Sequence, residues 1–353
     1  METNNQPLSS QSDLEQRLQQ AIDACSIAER RYLQAGRRAR LLGGFAVALV
    51  VGALSLSALK PVGAQSGSGP TLASLQQEIN GLQAQINKVI QKTRFMFSDG
   101  DNKTTTFSGC NVLIQSGSGK TNDGVSTGGT LTGLGNLIIG YNATGNALGD
   151  IRTGSHNLIL GDQNSYSSYG GLVAGSDNTI SGPYASVSGG YSGLASGKCT
   201  SVSGGQGNSA IGHFSSVCGG YLNQAFGDYA SMSGGESNTA TGRCASVSGG
   251  FESSASGDHA SVSGGQGNSA IGSFSSVSGG EFNNALGSCN VICGGLYNIT
   301  DNTAASILGG FGGVSEGSGS VVCGGFIAQA YGDYSANLGG FNTAVSTLYG
   351  HNP

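Results

Sequence analysis

Three sets of residues in this chain have types that could do chemistry. Ser116-Gly-Ser-Gly-Lys-Thr121 carries the glycines, lysine and hydroxyl of a loop that cradles phosphate on its backbone N–H groups. That pattern needs a glycine five places before Gly119, where Ile114 stands, and no helical pattern comes after it, so nucleotide binding is not expected. Strings of Gly-Gly-x-Gly would suit a calcium-binding nonapeptide roll, but the aspartates such a roll requires are absent. His156, His213, His259 and His351 have no partner spaced for a metal site or a triad. The expectation is therefore a non-enzymatic chain with no catalytic, cofactor-binding or metal-ligating residues.

The eight cysteines lack the tight spacing of a small disulfide scaffold or a zinc site. Cys199, Cys244 and Cys289 recur at equal intervals in one column, and Cys218, Cys293 and Cys323 replace serines of another. They read as small space-filling thiols, with inter-chain or cross-column disulfides left open.

The elements that carry these residues are set by composition. The chain has 353 residues, 64 of them glycine, no tryptophan and 10% charged residues, which directs attention to repeats. Between 185 and 353 only Lys198 and Arg243 carry fixed positive charge, so that surface lacks a phosphate-binding footprint and nucleic acid is not an expected partner.

From Gly189-Gly190 to Gly339-Gly340 a glycine pair recurs with a period of fifteen and without slip, in eleven copies. Residues 201–212 repeat 261–272 identically. Each unit holds two short alternating segments, such as Ala260-Ser-Val-Ser263 and Asn268-Ser-Ala-Ile271, separated by glycine-containing turns. One unit is then one coil of an all-β parallel β-solenoid over 185–353. Strand alternation turns Val187, Val202, Val217, Val247, Val262, Val277 and Val322 inward, together with Ala195, Ala210, Ala225, Ala240, Ala255, Ala270 and Ala285.

Flanking serines should face out, and the glycines suit positive φ or close stacking. Asn208, Asn223, Asn238, Asn268, Asn283 and Asn298 form a column that reads as an amide ladder. Phe214, Tyr229, Phe274, Tyr334 and Tyr349 form an intermittent aromatic column suited to packing between protomers. Residues 137–184 read as irregular coils and a cap, and 94–136 as an irregular Ser/Thr/Gly-rich segment.

The first ninety residues read differently. Leu41–Leu59 is an uncharged, mostly apolar run long enough to span a bilayer, so 41–60 is expected to be a transmembrane signal-anchor. Five arginines between Arg30 and Arg40 place 1–40, with a helical segment, in the cytoplasm and export the rest of the chain. Small residues before Ala64 leave open cleavage there and a secreted product. After a linker over 61–71, Leu72, Leu75, Ile79, Leu82, Ile86 and Val89 form a heptad seam, which predicts a short parallel coiled-coil neck over 72–93. The order of Ile and Leu leans towards two strands without fixing the number.

The unit Ser-Val-Ser-Gly-Gly-x-x-Asn-x-Ala-x-Gly resembles the head repeats of YadA-type trimeric autotransporter adhesins and related haemagglutinin-like bacterial surface proteins. The lead-in Arg152-Thr-Gly-Ser-His-Asn-Leu-Ile-Leu-Gly161 and Tyr169-Gly-Gly-Leu-Val-Ala-Gly175 is similar to the segment before such repeats. The resemblance covers roughly 133–353. It implies a left-handed β-roll, a homotrimer with an adjoining coiled coil, and binding to matrix proteins, cells or glycans at a bacterial cell surface. The chain departs from that pattern in having an N-terminal tether and no C-terminal barrel segment in the sequence at hand. Two other readings are carried: a purely structural envelope spacer or coat element, and an ice-binding array on Ser-x-Ser rows.

Overall fold

The computed structural model describes residues 72–93, 95–99 and 104–352. They fall in two compact units, 1–113 and 114–353. The span expected over 41–60 and the cytoplasmic segment lie outside the described residues; among those described, no helix is long and apolar enough to cross a membrane.

In the first unit, helix α1 runs Leu72–Thr93 and contains the whole heptad seam. Lys92 in its last turn complements the helix dipole, and Gln76 donates to Asn80 one turn on. Ile79 and Leu82 are each 43% exposed, Ile86 is half-buried and Val89 is exposed. An antiparallel hairpin, Met96–Asp99 with Thr104–Phe107, comes next.

The second unit is a parallel β-solenoid of two sheets, one of 15 strands and one of 13. Each regular coil gives one short strand to each sheet, as in Ser261–Val262 and Ser269–Ala270. Every strand pairs with its counterparts one coil before and one coil after, Val262 with Val247 and Val277, Ala270 with Ala255 and Ala285. So short a strand has little stability of its own, and the sheet is held by the repeated register.

All fourteen inward Val and Ala residues expected from alternation are at most 1% exposed. Met232, Ile292 and Ile307 fill the valine column in three further coils, and Asn337 in a fourth. A third buried column runs beside them, with Ala185, Ala230, Ala245 and Ala260 among its members.

Two kinds of glycine hold the coils together. At Gly272 a Cβ would lie 1.9 Å from the carbonyl oxygen of Gly287 in the next coil, so only glycine lets the coils stack. Gly265, the second of its pair, has φ +87° and carries the chain round the first turn. The second turn takes positive φ without glycine: Phe214, Tyr229, Cys244, His259, Phe274 and Cys289 lie between +55° and +61°. Each is held there by its N–H donating to a carbonyl of the preceding coil, as Phe274 does to Asp258.

The coils are irregular before the constant period sets in. Leu137 pairs with Leu158, Leu158 with Leu172 and Leu172 with Ser186, so one long coil and two short ones precede the regular stack. Ile159, Val173 and Ile180 fill this end with larger side chains.

Candidate functional site

The densest polar cluster lies where residues 114–136 meet the first coils. Asp123 is buried, and its Oδ1 accepts from the hydroxyls of Ser116 and Ser118 at 2.5 and 2.6 Å. Its Oδ2 accepts from the N–H and hydroxyl of Thr132, both at 2.8 Å. These bonds, the Ser116 hydroxyl foremost, then Ser118 and Ser155, hold the Asp123 carboxyl far below the usual carboxylate range, against the opposing effect of burial. The glycine-rich loop over 116–121 thus closes on an anion, and that anion is the chain's own carboxylate. A phosphate would have to displace it.

His156 stands beside this cluster. Its Nε2 accepts the backbone N–H of Ser116 at 3.1 Å, and its Nδ1 lies 4.0 Å from Asp123 Oδ1. An acceptor Nε2 puts the hydrogen on Nδ1, facing the carboxylate. Serine, histidine and aspartate meet here, but the serine hydroxyl bonds the aspartate and the imidazole nitrogen is taken by a backbone N–H. Nothing is left as a base for a nucleophile. The loop and His156 act as a cap on the end of the solenoid.

The asparagine column forms internal ladders over Asn208–Asn238 and Asn268–Asn298, interrupted at Ser253. Asn223 Nδ2 donates to Gly219 O and Gly235 O at 3.0 and 2.8 Å, and Asn223 Oδ1 accepts the N–H of Asn238 at 3.1 Å. Asn136 and Asn157 begin one such chain, and Asn142, Asn164 and Asn178 begin another. Each amide satisfies the carbonyls of a glycine turn, and the Asn-x-Ala spacing after Gly-Gly is its sequence signal.

The cysteines of the solenoid lie at or near its surface. Cys218, Cys289 and Cys293 are exposed, Cys199, Cys244 and Cys323 half-buried, and all six are free thiols, as is the exposed Cys110. Cys218, Cys293 and Cys323 stand at the outward serine positions, as expected. No group of three or more acidic, His or Cys side chains suited to a metal occurs among the described residues.

Because each coil passes from one sheet through a turn to the other sheet and back, the two turns form opposite edges. The second-turn edge carries the expected aromatic column: Phe214 stacks on Tyr229 at 5.0 Å, His259 on Phe274 at 4.8 Å and Tyr334 on Tyr349 at 5.5 Å. Lys198 and Arg243 lie over Phe214 and Tyr229 at 5.9 and 6.0 Å. The first-turn edge carries a second, unexpected aromatic column, with Tyr191, Tyr221 and Phe251 in the regular coils and Phe311, Phe326 and Phe341 further on. Neighbouring rings stack at 4.9 and 5.1 Å only among the last three. Its sequence signal is the residue after each glycine pair. No protein-family model matches this chain, and no curated protein matches it.

Proposed function

We propose that the chain is a non-enzymatic, surface-displayed head that contacts other surfaces, built as a left-handed, trimeric β-roll of the YadA-like kind on a coiled-coil neck. The residues over 41–60 would tether it to a membrane with the solenoid exported. The observation that carries this reading is the contrast between inside and outside. The interior repeats the same small side chains with little variation, while both turn edges present rows of exposed aromatic, amide and acidic residues along the solenoid. Ile79 and Leu82, exposed on one helix, support association through the neck. The mixed polar and aromatic edges suit contact with matrix proteins, cells or glycans.

The direct test applies the purified full chain to cells, matrix-protein films and glycan arrays. Binding to at least one, lost when the turn edges are altered, is the expected result. Silence on all three sinks the adhesin reading. Identical coils at 201–212 and 261–272 favour a second reading, a rigid spacer in which length is what matters. A spacer with four coils removed would do its work at shorter reach and show no ligand.

A further inference from the structure

The glycine pairs leave hydrogen-bonding groups free in a pattern that points to a ligand. In the ten pairs from Gly189-Gly190 to Gly324-Gly325, neither N–H has a partner among the described residues. The carbonyl of the residue before the pair, such as Ser203 or Ser263, is also unpaired. The residues that carry these groups are exposed or half-buried, as at Ser203, Gly204 and Gly205. Each coil thus offers one acceptor and two donors at the same place, with an exposed serine hydroxyl beside them at Ser203, Ser233, Ser248 and Ser263.

The first glycine of each pair adds room. From Gly204 to Gly309 a Cβ on it would meet nothing within 4 Å, and its φ lies outside the left-handed range. The chain's own packing therefore gives no reason for glycine there. The backbone is therefore left open along this edge.

The residues that follow each glycine pair alternate. Tyr191, Gln206, Tyr221, Glu236, Phe251 and Gln266 are successive partners, so aromatic and polar residues take turns coil by coil. The three rings are 50%, 42% and 36% exposed, and none stacks on another ring. Like residues recur every two coils, roughly 9.6 Å at the usual strand spacing. That is close to the advance of one disaccharide along an extended β-linked chain, whose successive units turn opposite faces.

We propose that this first-turn edge, from Gly189 to Gln266, binds a linear, neutral, β-linked polysaccharide. A sugar hydroxyl both donates and accepts, matching the mixed carbonyl and N–H array, whereas a sulfate or carboxylate group only accepts. The edge has no fixed cation of its own and carries Glu236, which disfavours polyanions further. Sugar C–H faces would rest on the unstacked rings while hydroxyls meet the amides between them. The inference rests on the reading of the chain as a surface-contacting head and names the ligand class for it.

The test uses the full chain, with cellohexaose and chitohexaose as probes, maltohexaose as a control of different curvature, and heparin as a polyanion. Calorimetry or a glycan array should show binding of one or both β-linked probes in preference to the controls. Gly219→Val/Gly234→Val/Gly249→Val covers the open backbone at positions where side chains fit the fold. With circular dichroism unchanged, it should weaken binding about tenfold or more, as should Tyr221→Ala with Phe251→Ala. The proposal is overturned if the valine variant binds as the parent does, or if heparin alone binds. It is also overturned if the valines instead lower the oligomeric mass, for the edge would then seat a second copy. Adhesion to cells or matrix protein with no oligosaccharide bound would overturn the ligand class while leaving the surface-contact reading intact; loss of both would take down the two together.

Discussion

A single methyl group separates the two glycines of each pair. Gly264→Ala places Cβ in open space at an ordinary φ, so it should be neutral or stabilise by about 0.4–1 kcal/mol through the unfolded chain. Gly265→Ala sets Cβ 2.1 Å from the Gly280 oxygen at φ +87° and should cost about 2 kcal/mol or more. Thermal unfolding of the two variants checks the contrast, and equal melting temperatures would refute it. The asparagine ladder allows a repair. At Ser253 the column lacks its amide, and the Asn268 N–H and Gly249 O that such an amide would meet have no partner. Ser253→Asn should complete the ladder and raise stability by about 1 kcal/mol, whereas Asn223→Ala should cost about 3 kcal/mol by orphaning its neighbours. Asp123 makes the cap sensitive to acid. Its carboxyl is depressed in the folded state, so the stability it contributes is full above the ordinary carboxylate pKa of about 4 and falls as pH drops through the lower folded value. Asp150, lowered by the N–H groups of Gly145 and Asn146, adds in the same direction. Hydrogen-exchange protection over 114–136, taken relative to the intrinsic rate at each pH, should fall as pH drops below about 4 in the parent. In Asp123→Asn it should be low already and change less with pH.

At the scale of the element, the coil was legible because the period is constant and the side chains alternate. Val187 to Val322 and Ala195 to Ala285 could be placed from spacing alone, since a two-residue strand permits only one inward side chain. Met232, Ile292 and Ile307 occupy the same column but escape a pattern defined by valine rather than by position. The cap was less legible. The long first coil and the short ones after it break the period, and the bonds from Asp123 to Ser116 and Thr132, or from Ser116 to His156, join residues with no shared pattern. The first-turn edge lay between these extremes: its glycines were visible, but its free N–H groups emerge only from the hydrogen bonding of the folded coil. Register gives this scale its own prediction. Deleting residues 201–260 brings Ser261 to the place of Ser201, preserves all three buried columns and should leave a cooperative, folded chain by circular dichroism and calorimetry. Deleting 201–207 instead shifts valine and asparagine columns against their neighbours and should unfold the coils around it.

For the molecule as a whole, the question is whether copies come together and through which surface. A parallel solenoid stacks its coils by backbone ladders that run along one chain, so its own sheets give no reason for a second copy. The demand for one comes from outside the ladders, from α1 with Ile79 and Leu82 in water and from exposed aromatic columns on both turn edges. These two sources can be separated. Ile79→Asp with Leu82→Asp puts charge on the seam and leaves every solenoid residue untouched. If the neck drives association, native mass spectrometry of the detergent-solubilised chain should show the parent as an oligomer, three copies on the head-like reading, and the double variant as a monomer with an unchanged β-sheet spectrum. If the solenoid edges drive it, the double variant keeps the parent's mass, and Phe214→Ser with Tyr229→Ser should lower it instead. A parent that is already a monomer removes the trimeric head and leaves a single solenoid whose edges are free along their whole length, the arrangement in which a spacer or a one-chain binding edge is the more economical account.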